Sequence, residues 1–271
     1  MTNAELPIGV FDSGVGGLTV VRQLRLVLPQ EDLVYLGDTA RVPYGTKSPS
    51  TVVRFSCEDA QFLLQRNVKA VVVACNTASA WALPALEKQF SVPIFGVILP
   101  GVRAALGKTR NRRIGVIGTG ATIRSHAYSA GLEAASKGVK VFSRACPLLV
   151  PLVEEGWTNH RVTREVLREY LEPLRRHRID TLILGCTHYP LLKPAIRGVV
   201  GRGVALVDSA ESCARHVREC LEELRLLSQS RRRQGVIQPF VTDEPERFAD
   251  VARRFLGCAI ERARKVDLAP V

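Results

Sequence analysis

VVVACNTAS, from Val71 to Ser79, is an apolar and largely β-branched run that breaks without transition into Cys75, Asn76 and Thr77. A strand covered on both faces reads as such a continuous apolar run, and the polar residues at its end mark the turn that leaves it. TLILGCTHYP, from Thr181 to Pro190, is built the same way, ending in Cys186, Thr187 and His188. In open α/β sheets the loops leaving the carboxyl ends of strands form the binding crevice. The two stretches therefore put a thiol in each of two crevices.

The duplication reaches further back. IGVFDSG, Ile8 to Gly14, has its counterpart in IGVIGTG, Ile114 to Gly120; the offset is 106 residues there and 111 between Cys75 and Cys186. Two similar halves packed about a pseudo-dyad would bring both thiols to one interface. The expected fold class is α/β, with two pseudo-symmetric open-sheet domains and the active site between them. Residues 1–98 plus 210–271 are expected to form the first domain, carrying Asp12 and Cys75. Residues 99–209 are expected to form the second, carrying Thr119 and Cys186. The closing segment is too short to stand alone and is expected to return to the first half.

A chain of 271 residues is long enough for one large or two modest domains. Its 46% hydrophobic and 24% charged residues are ordinary for a globular protein. MTNAELP lacks the cationic start and apolar core of a signal peptide, and no apolar run approaches the ~18 residues that span a bilayer. Seven cysteines, an odd number without CxxC spacing, argue against a disulfide framework and a thiolate metal site. A cytoplasmic protein with no metal and no membrane partner is expected. The net charge of +12 would suit a nucleic-acid partner, but the arginines read as scattered on solvated faces and aromatic residues are only 6%.

Along the chain, Ile8 to Phe11 reads as a strand and DSGVGG, Asp12 to Gly17, as the turn into a helix. That turn has neither the Lys-Ser/Thr of a Walker loop nor GxGxxG spacing, so by itself it is a capped helix start. GDTARVPYG, Gly37 to Gly45, has loop composition, yet Arg41 and Tyr44 are unusual residues for a mere connection. Helices are expected over about 49–65, 79–89, 163–176, 211–227 and 245–256. Further strands are expected over 33–36, 92–98, 139–142, 205–207 and 236–241. Pro100 and Gly101 would begin the crossing into the second half. LSQSRRRQG, Leu227 to Gly235, reads as a polar linker. Of Glu154 and Glu155, after an apolar segment, one could turn inward.

Two thiols facing each other suit a reaction that removes a proton from one face of a carbon and delivers one to the other. Each has a local helper: His188 lies two residues after Cys186, and Asp12 comes from the strand end beside Cys75. Cys57, Cys146, Cys213, Cys220 and Cys258 sit in no such turn and read as inert thiols. DSGVGG, GDTARVPYG, ACNTAS, GTGATI and GCTHYPLL, in that order and with VTDEPERF near the end, resemble the glutamate racemases of the cofactor-independent aspartate/glutamate racemase superfamily.

The resemblance implies that Cys75 exchanges the proton with D-glutamate and Cys186 with L-glutamate, assisted by Asp12 and His188. It implies substrate contacts from Asp12, Ser13, Tyr44, Gly45, Asn76, Thr77, Thr119, Thr122, Thr187 and His188, with Glu154 near the amino group. It implies glutamate as the partner, no pyridoxal phosphate or other cofactor, and D-glutamate supplied to peptidoglycan. A homodimer is expected, and a DNA gyrase or nucleic-acid association, made for some family members, is the remaining partner reading. The competing activities are an aspartate or hydantoin racemase of the same superfamily, and a hydrolase using Cys186 as nucleophile with His188 as base.

Overall fold

The computed structural model describes residues 3–230, 234–260 and 262–269; Arg231 to Arg233, within the expected linker, lie outside the described residues. In chain order the elements are β1 (Ile8–Asp12), α1 (Leu18–Val27), β2 (Leu33–Gly37), α2 (Pro49–Leu64), β3 (Ala70–Val73), α3 (Asn76–Gln89), β4 (Ile94–Gly96), α4 (Ile98–Lys108), β5 (Arg113–Gly118), α5 (Gly120–Arg124) and α6 (Ala127–Ala135). They continue with β6 (Lys140–Ala145), α7 (Leu149–Glu154), α8 (Arg161–Arg176), β7 (Thr181–Gly185), α9 (Lys193–Val200), β8 (Ala205–Asp208), α10 (Ser209–Glu223), β9 (Ile237–Val241), α11 (Pro245–Leu256) and β10 (Arg264–Lys265).

The described strands form two parallel sheets, ordered β10-β9-β2-β1-β3-β4 and β6-β5-β7-β8. The second repeats the order β2-β1-β3-β4 of the first, so β3 and β7, the strands leading to Cys75 and Cys186, hold equivalent places. Every residue of β1, β2, β3 and β7 is buried, as strands covered by helices on both faces require. β9 pairs with β2 and β10 with β9, so the chain returns to the first sheet after completing the second. Among the described residues no helix is long and apolar enough to cross a membrane.

Two apolar clusters hold these layers. One lies on the α2 and α3 side of the first sheet, with Phe11, Val34, Leu63 and Val71. The other runs from the opposite face, with Val10, Tyr35 and Val72, into the second sheet, where Ile117 and Leu184 belong to it. A core shared by both sheets fixes their mutual placement, and with it the gap between their carboxyl ends.

Three local expectations are corrected. α3 begins at Asn76, three residues before its expected start, because Cys75 takes the extended conformation of a cap and the helix follows at once. The strand expected over 92–98 is confined to β4; Pro100 and Gly101 lie at the start of α4, the helix that leads from β4 to the second sheet. Pro100 is tolerated there because first-turn amides have no intrahelical acceptor to lose. Gly101 leaves room for Tyr128, whose ring atom Cε1 would stand 3.1 Å from a Cβ at that position. The third is β10, which two exposed basic residues gave no reason to expect.

One ion pair is fully withdrawn from water. Lys69 donates to Glu31 and to the carbonyl of Ala4, while Glu31 also accepts the amide of Ser228. Removing one partner of such a pair leaves an uncompensated buried charge. Lys69→Ala is expected to lower unfolding stability by about 3–5 kcal/mol in urea titration, and a loss below about 1 kcal/mol would contradict this account of the pair.

Candidate active site

The carboxyl ends of the two sheets face each other across a cavity of about 370 Å³. Its lining includes Ser13 and Gly14 after β1, Cys75, Asn76 and Thr77 after β3, Thr119 after β5, Glu154 at the end of α7, and Cys186, Thr187 and His188 after β7. Both thiols are thus on one cavity, each supplied by the equivalent strand of its own sheet. No lysine or arginine is among the lining residues. Among the described residues no group of three or more His, Cys, Asp or Glu is placed to hold a metal ion.

Cys75 occupies the N-cap position of α3 and donates its S–H to the Ser13 hydroxyl oxygen at 3.6 Å. Burial pushes its thiol up to about 12, reinforced by the charge of Asp12 and opposed by the Ala78 amide and Ser13. Asp12 therefore acts on Cys75 through its field, and the hydroxyl in contact with the sulfur is that of Ser13. Asp12 is fully buried; its Oδ2 accepts the Gly14 amide at 3.0 Å, and its Oδ1 finds no hydrogen bond of normal geometry. Burial raises its pKa, against the pull of His188 and of the Gly17 and Gly14 amides.

Around Cys186 the chemistry differs. His188 Nδ1 lies 3.9 Å from Cys186 Sγ and 3.3 Å from Thr187 Oγ1, and its Nε2 lies 2.9 Å from Glu154 Oε1. Burial works against protonation of this imidazole, but Cys186 and Glu154 outweigh it and lift the pKa to about 10. Glu154 is held below its ordinary value, the bond and charge of His188 with Arg247 and Arg254 overcoming burial. Phe255 of α11 stands edge-on to the imidazole with centroids 5.1 Å apart, fixing the ring plane. Glu154 is accordingly committed to His188. The position of α11 beside this pair, with Phe255 and Arg254, carried no signal in the sequence.

The two sheets are tied at the cavity by short polar contacts. Thr77, Thr119 and Thr122 form a triangle of hydroxyls with sides of 2.9, 3.0 and 3.1 Å. Thr77 belongs to the first sheet's loop and the other two to the second's. Both polar atoms of the Asn76 side chain are engaged, accepting from Tyr128 at 2.7 Å and donating to Ser209 at 3.3 Å, so it orders the cavity wall. On the other flank Thr19 Oγ1 donates to the Thr187 carbonyl at 2.9 Å. Gly16 makes that approach possible: a Cβ there would lie 2.2 Å from Thr187 Oγ1 and 2.5 Å from the His188 ring.

Tyr44 and Gly45 line the cavity, but the Tyr44 hydroxyl does not point to a ligand. It sits between Asp38 and Asp59, 2.9 Å from Asp59 Oδ2. One phenolic proton is shared between two carboxylates, and burial beside Asp38 raises the pKa of Asp59 well above its ordinary value. Arg41 bonds Asp38, Glu58 and Asp59 and lies 4.1 Å over the Phe55 ring. This knot explains why Arg41 and Tyr44 stand in a loop of turn residues. It holds Gly45 so close to Thr119 that a Cβ there would come within 2.7 Å of it. Of the expected site residues, Thr122 reaches the cavity wall only through the hydroxyl triangle, and Asp12 lies just beneath the lining.

The chain matches the family model described as Asp/Glu/Hydantoin racemase over residues 18–217. It is 54% identical over 261 residues to the glutamate racemase of Geobacter metallireducens, covering 96% of each chain. Among solved structures it superposes on a glutamate racemase isoform of Bacillus anthracis with a TM-score of 0.94 at 42% identity, covering 98% of both chains. It superposes on the glutamate racemase of Francisella tularensis in complex with D-glutamate with a TM-score of 0.90 at 38% identity, covering 97% of this chain and 98% of that one.

The geometry around His188 fixes a titration. An imidazole raised to about 10 gives stability that is fully present below its unfolded value near 6.5 and is lost as pH rises through about 10. ¹⁵N NMR should show both ring nitrogens of His188 protonated at pH 8, and Glu154→Gln should move the titration down by about a unit or more. A neutral His188 at pH 7.5 in the unsubstituted protein would contradict the assigned pairing.

Proposed function

The chain belongs to the Asp/Glu/hydantoin racemase family, and from that premise we propose that it interconverts L- and D-glutamate by proton transfer between two thiols, Cys75 and Cys186, on opposite faces of the α-carbon. The observation that carries this reading is the placement of both sulfurs on one cavity, each from the same position of two equivalent sheets. The D-glutamate formed is what peptidoglycan synthesis consumes, the role this family fills.

From L-glutamate, the Cys186 thiolate takes the α-proton and the C–H electron pair moves into the carboxylate, giving an enediolate. The Cys75 S–H then delivers its proton to the opposite face, and the pair returns to carbon. From D-glutamate the roles exchange. The raised pKa of Cys75 suits a thiol that rests protonated and ready to donate. The His188–Glu154 pair stands 3.9 Å from Cys186 Sγ, as a partner for the proton that this sulfur takes up or gives back.

The α-proton is weakly acidic, so charge developing on the carboxylate must be stabilised in a site closed to bulk water. The first-turn amides of α3 point out of the helix without intrahelical acceptors and, with the threonine hydroxyls, supply donors for the carboxylates. Gly45 and Thr119 would receive the side-chain carboxylate by backbone and hydroxyl hydrogen bonds, since the lining offers no lysine or arginine. Asp12, just beneath the lining and with its Oδ1 unpartnered, would serve as the acceptor for the substrate ammonium.

Chiral analysis of glutamate incubated with purified protein and no added cofactor should show conversion of either enantiomer to a 1:1 mixture, with aspartate turned over far more slowly. Cys75→Ser and Cys186→Ser should each reduce kcat/KM by roughly 10²–10⁴-fold or more with the fold intact, because a serine hydroxyl is a much weaker base. Asp12→Asn and His188→Asn should cost less. With an equilibrium constant of unity, kcat/KM must stay equal in the two directions for every variant. Full activity in either serine variant would remove that thiol from the reaction.

A further inference from the structure

The net charge of +12 is not evenly placed. Residues 99–209 carry 18 Lys and Arg against 8 Asp and Glu, a net of +10, leaving +2 for the rest of the chain. The excess is concentrated at the amino ends of β5, β6 and β7, the side of the second sheet opposite the catalytic cavity. Residues 108–113, 137–140 and 175–180 meet there and hold nine Lys and Arg but one carboxylate, Asp180.

The meeting is structural. Arg113 and Lys140 are register partners. Arg112 donates to the Lys137 carbonyl at 3.2 Å, Arg113 to the His177 carbonyl, and Asn111 to the Arg178 carbonyl at 2.9 Å. Asp180 is consumed within the loop, accepting from the Thr109 hydroxyl and the Arg110 and Asn111 amides. Among the described residues, only Arg175 of the nine cations has an ion-pair partner, Glu172. Arg112 and Arg178 also occupy left-handed backbone, with φ of 59° and 53°. Such positions favour glycine or asparagine, so arginine at two of them in one patch is a choice against local preference.

Beside the cations lies a flat ring surface. Phe142 of β6 and His177 stack with centroids 4.1 Å apart and planes inclined by 12°, and the Arg113 guanidinium lies 5.1 Å from the Phe142 centroid. His177 is exposed. Cations that track a phosphate backbone next to a ring on which a base can stack are what single-stranded nucleic acids bind. An anionic bilayer is less well matched: none of the large exposed apolar side chains falls in these segments, so nothing would insert below the headgroups. We propose that the amino-end face of the second sheet, built around Arg112, Arg113, Lys140, Arg176 and the Phe142–His177 stack, binds the phosphate backbone of single-stranded nucleic acid independently of the catalytic cavity.

The test is fluorescence anisotropy of a labelled 20-nucleotide DNA strand titrated with the whole protein at several salt concentrations. About five phosphate contacts predict a fall in affinity of roughly 100-fold between 50 and 200 mM salt. The triple variant Arg112→Glu, Lys140→Glu, Arg176→Glu should lose at least roughly 30-fold in affinity and flatten the salt slope by about 2, with racemisation and circular dichroism unchanged. His177→Ala should weaken binding by about 10-fold with the slope retained. Three outcomes would overturn the proposal. One is no binding at 50 mM salt. Another is an equal loss in Arg22→Glu, Lys88→Glu, Arg253→Glu, which changes the same charge on the first sheet's side. The last is displacement of the strand by phosphatidylserine vesicles at lower concentration than by unlabelled DNA.

Discussion

Two strand-end loops from different sheets are held in contact at their tips, and the rest of the site depends on that contact. It is made on one flank by the hydroxyl triangle of Thr77, Thr119 and Thr122, and on the other by Gly16 against Thr187 and His188. Three hydroxyls bonded to one another in a triangle leave its geometry little latitude. Gly16 is fixed by the lack of room for any side chain between the loops. The apolar cluster common to both sheets supplies the rigid background against which these contacts set the distance across the cavity.

The sheets are alike, but the surroundings of the two thiols are not. Cys75 has a neutral hydroxyl in contact and a buried carboxylate nearby, both on the first sheet's side. Cys186 has an imidazole whose far nitrogen is anchored by Glu154, under the ring of Phe255. Repetition of the fold places two sulfurs symmetrically, and local substitution gives each a different set of polar neighbours. A reaction with an equilibrium constant of unity tolerates this asymmetry, because what one direction gains in its first step the other recovers in its last.

Much of this was legible in the chain because the chemistry is local there. The continuous apolar runs ending at Cys75 and Cys186 could only be covered parallel strands, and His188 sits two residues from its thiol. The start of α3 was misplaced because ACNT reads as a turn until the cysteine is seen to cap the helix. By its residues alone Glu154 was one of two adjacent acids, singled out only through the family resemblance; that it turns to His188, 34 residues on, depends on the tertiary structure. The Tyr44 hydroxyl, Phe255 and the basic face needed the tertiary structure, since their partners come from other segments. Composition reported the charge without its location.

The central claim is that two bases, not one, serve the two faces of the α-carbon, and isotope incorporation from solvent addresses it directly. In deuterium oxide the donating thiol carries deuterium before substrate arrives. Starting from L-glutamate, hydrogen leaves to Cys186 and deuterium is delivered by Cys75. D-glutamate isolated at low conversion should therefore be labelled almost completely at the α-carbon, with the remaining L-glutamate nearly unlabelled. D-glutamate that largely retains the original hydrogen would show one group serving both faces and would contradict the two-thiol account.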